Sequence, residues 1–167
     1  MKPVPTARAH RLADSIDLVL PRTFRAPIDD VWAAITEPER TARWFGPWEG
    51  DATPGRMIRV QMLFEEEEPW MDLRVDACEP PRRLAVSSTD ESGAWRMEML
   101  LESRDATTEL RLVHHLDSAD KIPEAGPGWE YYLDMLTAAF DGTPRPDFAD
   151  YHPAMTPYFT ELAGKSS

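Results

Sequence analysis

The chain has 167 residues, a formal charge of -12 and a single cysteine, Cys78, which is the size of one domain. The charge excludes duplex nucleic acid and anionic bilayers as partners, since both repel an acidic surface, and one cysteine excludes an intramolecular disulfide, as expected in a reducing compartment. Met1 to Arg11 has basic residues with no apolar stretch behind them, and no apolar run approaches the ~20 residues of a membrane span. The expectation is therefore a soluble cytoplasmic protein with no cofactor or metal motif, whose folding buries roughly 70% of its extended-chain surface.

Residues 1–14, with Pro3, Pro5 and scattered charge, read as a loose N-terminal arm. From Ser15 to Arg25 the alternation of Ile16, Leu18 and Leu20 predicts a strand, which Pro21 confines to an edge or a bulge. Ala26-Pro27 stops it. Ile28, Val31, Trp32 and Ile35 then share one helical face, with Asp29 and Asp30 where the helix dipole favours anions. Thr36-Glu37-Pro38-Glu39 has the spacing of a capping box for a second short helix, ending near Trp44-Phe45-Gly46-Pro47.

Alternating apolar runs follow: Ile58 to Phe64, Met71 to Val75, Leu84 to Val86, Trp95 to Leu101 and Leu110 to His114. Pro54-Gly55, Pro80-Pro81, Ser92-Gly93 and Asp105-Ala106 supply the connections. Short connections between successive strands predict an antiparallel meander with one dry face. A last long helix is predicted from Gly126-Pro127-Gly128 to Gly142. Trp129, Tyr132, Leu133, Leu136 and Phe140 form its apolar stripe, with Glu130, Asp134, Thr137 and Asp141 on another face. Helices on one side of an antiparallel sheet make an α+β fold. The aromatic-rich stretch from 143 to 167 is expected to dock on the domain or on a neighbour.

Two segments carry a family resemblance: RTFRAPIDDVWAAITEPERTARWFGP, from Arg22 to Pro47, and GPGWEYYL, from Gly126 to Leu133. They resemble the start and the long helix of the Hsp-ninety ATPase activator homologue family, in the START-like (SRPBCC) superfamily. The resemblance covers about residues 15–142. It implies a helix-grip fold, similar to Bet v 1: a curved antiparallel sheet of about six or seven strands wrapped on a long C-terminal helix. It implies no single activity, because such folds host lipid and hormone binders, polyketide cyclases and chaperone activators.

A sheet gripping a helix leaves a cleft, and its candidate lining is Trp44, Phe45, Met71, Trp95, Met97, Met99, His114, Trp129, Tyr132 and Leu136. Aromatics and methionines make adaptable walls for apolar ligands, though they also fill ordinary cores. Trp44 to Pro47 reads either as a pocket rim or as a packed corner. Of His114 and His115 only one can point inward, and phase with Leu110 and Leu112 selects His114. Neither an HExxH nor a cysteine pair accompanies it. Glu65 to Glu68 reads as a solvated loop, and Cys78, without a basic sequence neighbour, as inert.

Three functions fit these features: a binding protein for an apolar or aromatic small molecule, a cyclase- or aromatase-type enzyme using His114 or Tyr132 as acid or base, and a chaperone-modulating interaction protein. The third would need a further domain, as in the family's eukaryotic namesake, for which this chain has no room. An enzyme needs paired inward acid–base groups, and only His114 phases inward with the strand, so the binding reading leads. A homodimer stays open.

Overall fold

The computed structural model describes residues 3–90 and 93–166. The expected Ser92-Gly93 connection therefore falls outside the described residues.

Strand β1 (Arg8–Arg11) precedes β2 (Ile16–Phe24), and helices α1 (Ile28–Thr36) and α2 (Pro38–Thr41) follow. Strands β3 (Trp48–Gly50), β4 (Met57–Gln61), β5 (Trp70–Glu79), β6 (Arg83–Asp90), β7 (Gly93–Arg104) and β8 (Thr107–Leu116) then run as an antiparallel meander. Helix α3 (Ile122–Asp141) and helix α4 (Thr156–Ser166) complete the chain. The sheet order is β1-β2-β8-β7-β6-β5-β4-β3, so β2 returns beside β8 and both short helices lie in the crossover to β3. This is the expected α+β architecture, with eight strands where six or seven were read. β1 has no apolar alternation and β3 has three residues, too few for a period to show; each forms by pairing with a longer neighbour.

Alternation works as anticipated along the inner face. Strand pairing aligns Leu18, His114, Met97, Val86 and Val75 in one row across five strands, and Leu20, Leu112, Met99 and Leu84 in the next. A register shift between Val75 and Ala77 interrupts the β5–β6 ladder, and such bulges bend and twist a sheet. Pro21 sits beyond Val19, where β1 no longer pairs with β2, so its missing N–H costs no ladder bond on that side.

Three local expectations are corrected. β4 ends at Gln61 rather than Phe64, and Met62 turns instead, its N–H donating to the Pro69 carbonyl. The capping box does not form: Thr36 donates its hydroxyl back to the Trp32 carbonyl at 2.6 Å, and Pro38 opens α2 instead. The long helix starts at Ile122, so Pro127 lies inside it. Gly126 there serves close approach rather than a turn, since a Cβ on it would collide with the Phe159 ring of α4. The helix stops as expected at Gly142, whose φ of 67° suits glycine.

The largest departure concerns the polar side of α3. Trp129, Leu133 and Leu136 are buried against the sheet, and Phe140 packs on Phe24. Glu130, expected among the polar residues, is completely buried. Arg22 explains it. Its even-numbered phase on β2, shared with Ile16, Leu18, Leu20 and Phe24, points it at α3, where it meets Glu130 at 2.9 Å and Asp134 at 3.0 Å. Glu130 also accepts hydrogen bonds from the Thr6 and Ala7 amides and the Thr6 hydroxyl. Residues 1–14 therefore do not form a loose arm throughout: Thr6 and Ala7 are tied to α3, and β1 pairs with β2. Tyr151 donates to Asp134 at 2.7 Å, and Tyr151, Met155 and Phe159 are buried where the C-terminal segment packs on the domain.

Removing one member of a buried ion pair strands the other in low dielectric, at about 3–5 kcal/mol. Glu130→Ala is expected to lose that much in urea unfolding. The double substitution with Arg22→Ala should lose less than the two single losses added, because it leaves no orphan charge.

Candidate functional site

Between the sheet, the α1–α2 corner and α3 lie two chambers. The inner one, about 140 Å³, is walled by Trp44, Trp48, Ile58, Val75, Met97, Met99 and their neighbours. The outer one, about 480 Å³, opens between the start of α3 and the β4–β5 loop. Phe45 and Trp129 are the two residues that border both. Their rings lie nearly parallel, 10° apart in plane with centroids separated by 6.4 Å, and so stand between the chambers.

The corner that supplies Phe45 is held by directed bonds. The Trp44 indole N–H donates to the Ala34 carbonyl at 2.9 Å, Trp48 donates to the Thr36 carbonyl at 2.7 Å, and Thr41 donates to the Gly46 carbonyl at 2.7 Å. Gly46 permits the return toward β4, because a Cβ there would overlap the Gln61 carbonyl. The motif forms a hydrogen-bonded packed corner, and Trp44 and Phe45 also line the chambers. Hydrogen bonding makes the corner, and its aromatic faces make the wall.

The expected site residues divide by position. Met97 and Met99 line the inner chamber with Trp44; Met71, Trp95, His114 and Tyr132 line the outer one; Phe45 and Trp129 serve both. The β7 stripe is thereby split, Trp95 facing one chamber and the two methionines the other. Leu136 is buried but lines neither, reaching only a crevice of about 20 Å³ beside Phe140. Sequence reasoning passed over Trp32 and Trp48, which line the inner chamber, and Glu65, Lys121 and Glu124, which line the outer. In the sequence Trp32 belongs to a helical core stripe and Glu65 is one of four equivalent carboxylates, so neither carries a local signal of the site. Cys78 faces the inner chamber, half-buried, with its thiol pKa pushed up by burial.

Polar chemistry concentrates in the outer chamber. His114, buried in a row otherwise occupied by Leu18, Met97, Val86 and Val75, receives the Trp129 indole N–H on Nδ1 at 3.0 Å. An indole nitrogen only donates, so Nδ1 carries the lone pair and the ring proton sits on Nε2. Burial, with smaller contributions from His115 and Lys121, lowers the His114 pKa to about 4, so the ring is neutral near pH 7. Tyr132 donates its hydroxyl to Glu65 at 2.7 Å. Burial first, and then that bond, hold its phenol far above the ordinary range. His115 points the other way, as alternation requires, and contacts Asp17 at 2.7 Å and Glu98 at 3.2 Å. Among the described residues, no group of three His, Cys, Asp or Glu side chains is placed to hold a metal ion.

An antiparallel sheet closed over a long C-terminal helix, with an apolar cavity between them, defines a helix-grip protein of the START-like kind. The chain belongs to the family described as Activator of Hsp90 ATPase homolog 1-like protein, which matches residues 25–141. Among solved structures it is similar to CalU16 from Micromonospora echinospora, at 25% identity and a TM-score of 0.68 over 98% of this chain and 94% of that one. A conserved protein of unknown function from Enterococcus faecalis aligns at 15% identity and a TM-score of 0.74 over 96% and 92%. DynU16, described as a putative protein in the dynemicin biosynthetic locus, aligns at 23% identity and a TM-score of 0.66 over 79% of this chain and 50% of its own. The last two show the fold alone. No curated protein matches the chain in sequence. Among the described residues no helix is long and apolar enough to cross a membrane.

A histidine held neutral in the folded state links stability to pH. The unfolded chain takes up a proton near pH 6.5 while the folded one resists until about 4, so stability falls as pH drops through that window. Between pH 7 and 5 the protein is expected to lose about 2 kcal/mol more than its His114→Gln variant, read from urea unfolding at each pH.

Proposed function

We propose that this protein binds a mainly apolar small molecule in the cavity between its sheet and α3. The observation that carries this reading is the pair of chambers that share Phe45 and Trp129 in their walls, at the point where a helix-grip fold leaves space. They are walled by aromatic and methionine side chains that a solid core would have packed together. Natural ligand pockets are of order 300–1,000 Å³, mostly apolar with a few polar anchors, and the outer chamber alone, about 480 Å³, falls in that range.

The cyclase-type alternative asks for an inward acid–base pair. His114 has its Nδ1 lone pair engaged by Trp129 and a pKa near 4, and Tyr132 has a phenol pushed upward and already donating to Glu65. General acid–base groups work best with a pKa near the operating pH, so both side chains are better suited to holding a ligand than to moving its protons. The chaperone-modulating reading has no feature of the site in its favour.

Met99→Trp tests the cavity. The larger side chain would fill the inner chamber, and affinity for the apolar probe N-phenylnaphthylamine should fall at least about tenfold while the Tm moves by a few degrees. If the probe does not bind the parent protein, and the substitution costs roughly the 1–3 kcal/mol of an overpacked core, these side chains form a solid interior. Native mass spectrometry of protein purified from its own host would read retained ligand and subunit number together.

A further inference from the structure

Resting on that reading, we propose that the outer chamber selects neutral aromatic molecules carrying a carbonyl, with the carbonyl oxygen accepting a hydrogen bond from His114 Nε2–H. Three observations combine. The walls of the chamber are rings: Trp95 lies 5.3 Å from His114 and 6.0 Å from Trp129, while Phe45 lies 4.8 Å from Tyr132, centroid to centroid. Such faces and edges favour a flat ligand that can stack or meet them edge to face.

The second observation is a directed donor without an acceptor. His114 is 5% exposed and lines the chamber. Trp129 occupies its Nδ1 and so leaves the proton on Nε2, which has no protein partner among the described residues. That N–H is not sealed off, since among the described residues only Thr156 Oγ1 is a buried side-chain polar atom without a partner; it opens to the chamber, where a ligand acceptor would exchange water for a directed hydrogen bond. A neutral imidazole N–H can only give a hydrogen bond here; with Nδ1 engaged, it has no lone pair with which to receive one.

The third observation is charge. Glu65, Asp117 and Glu124 line the chamber against one ammonium, Lys121, which is itself paired to Asp117 at 2.9 Å. All three carboxylates are exposed at the solvent-facing mouth, and with Asp117 paired to Lys121 they leave a net negative field there that opposes entry of a carboxylate ligand. Fatty and other organic acids are thereby disfavoured, and ketones, quinones and similar neutral acceptors are admitted.

Three fluorescent probes on one scaffold separate these claims: a dimethylaminonaphthyl propionyl ketone, its propyl analogue without the carbonyl, and the corresponding naphthoate. At neutral pH the parent protein should bind the ketone at least about tenfold tighter than the naphthoate. His114→Phe should weaken the ketone about tenfold, the size of one neutral hydrogen bond, and the propyl analogue less than about twofold. The bound ketone in the parent should emit near its position in an alcohol rather than in an alkane, a readout that needs no variant to fold. Naphthoate bound as tightly as ketone, equal losses for ketone and propyl analogue in His114→Phe, or alkane-like emission would each overturn the inference while leaving the cavity reading standing. Failure of the parent to bind any of the three would overturn both.

Discussion

Arg22 stands at an inward position of β2, in phase with Ile16, Leu18, Leu20 and Phe24, and a charge placed there must find a counter-charge on whatever covers the sheet. Glu130 supplies it from α3, and the requirement sets the rotation of that helix about its own axis. With Glu130 turned toward β2, the next residue back, Trp129, reaches His114 on β8, and Tyr132 reaches the β4–β5 loop at Glu65. A rotation that released Glu130 from Arg22 would also withdraw Trp129 from the partition and Tyr132 from the mouth. Taking two charges out of water costs about as much as their attraction returns, so the pair contributes more to orientation than to net stability. The same carboxylate collects the Thr6 and Ala7 amides, and Asp134 collects Tyr151, so both chain ends are tied to the helix at one place.

The cavity follows from geometry on the opposite side of α3. Close packing is achieved where Leu133, Met135 and Leu136 meet the sheet and the C-terminal segment, all of them at most 1% exposed. Toward the start of the helix the neighbours are long rigid rings, Trp95, Phe45 and Trp129, whose shapes hold one another apart at centroid distances near 6 Å. Rings restricted to two side-chain torsions cannot collapse into a void as methionines can. The inner chamber is correspondingly small and apolar, and the outer one is larger and carries the polar groups.

His114 shows how one tertiary contact changes the chemistry of a side chain. On the strand alone it is an inward histidine with two equivalent roles open to its nitrogens. The Trp129 indole assigns Nδ1 as acceptor, burial makes the ring neutral, and what remains is a single donor aimed at the chamber.

Much of this was legible in the sequence because it depends on short-range periodicity. Alternation located β2 and β5 to β8, selected His114 over His115, and placed Met97 and Met99 on the inner face; the 3.6-residue stripe placed Trp129, Leu133 and Leu136 against the sheet; Gly142 ended the helix. These properties are fixed by the backbone period and by local turn chemistry, which neighbouring residues determine between them. Glu130, Glu65, Arg22 and Thr6 were not legible, since each owes its place to a partner 16 or more positions away. Nothing local distinguishes Glu130 from Asp141, or Glu65 from the three glutamates after it. Leu136 belongs to the apolar stripe yet lines neither chamber, because the stripe names a face of the helix and not the depth at which the sheet departs from it. The sequence by itself determined which faces are apolar and which way each side chain points. Only the tertiary structure decided which inward charges meet and where the packing leaves room, because burial of charge and residual volume are properties of two surfaces brought together.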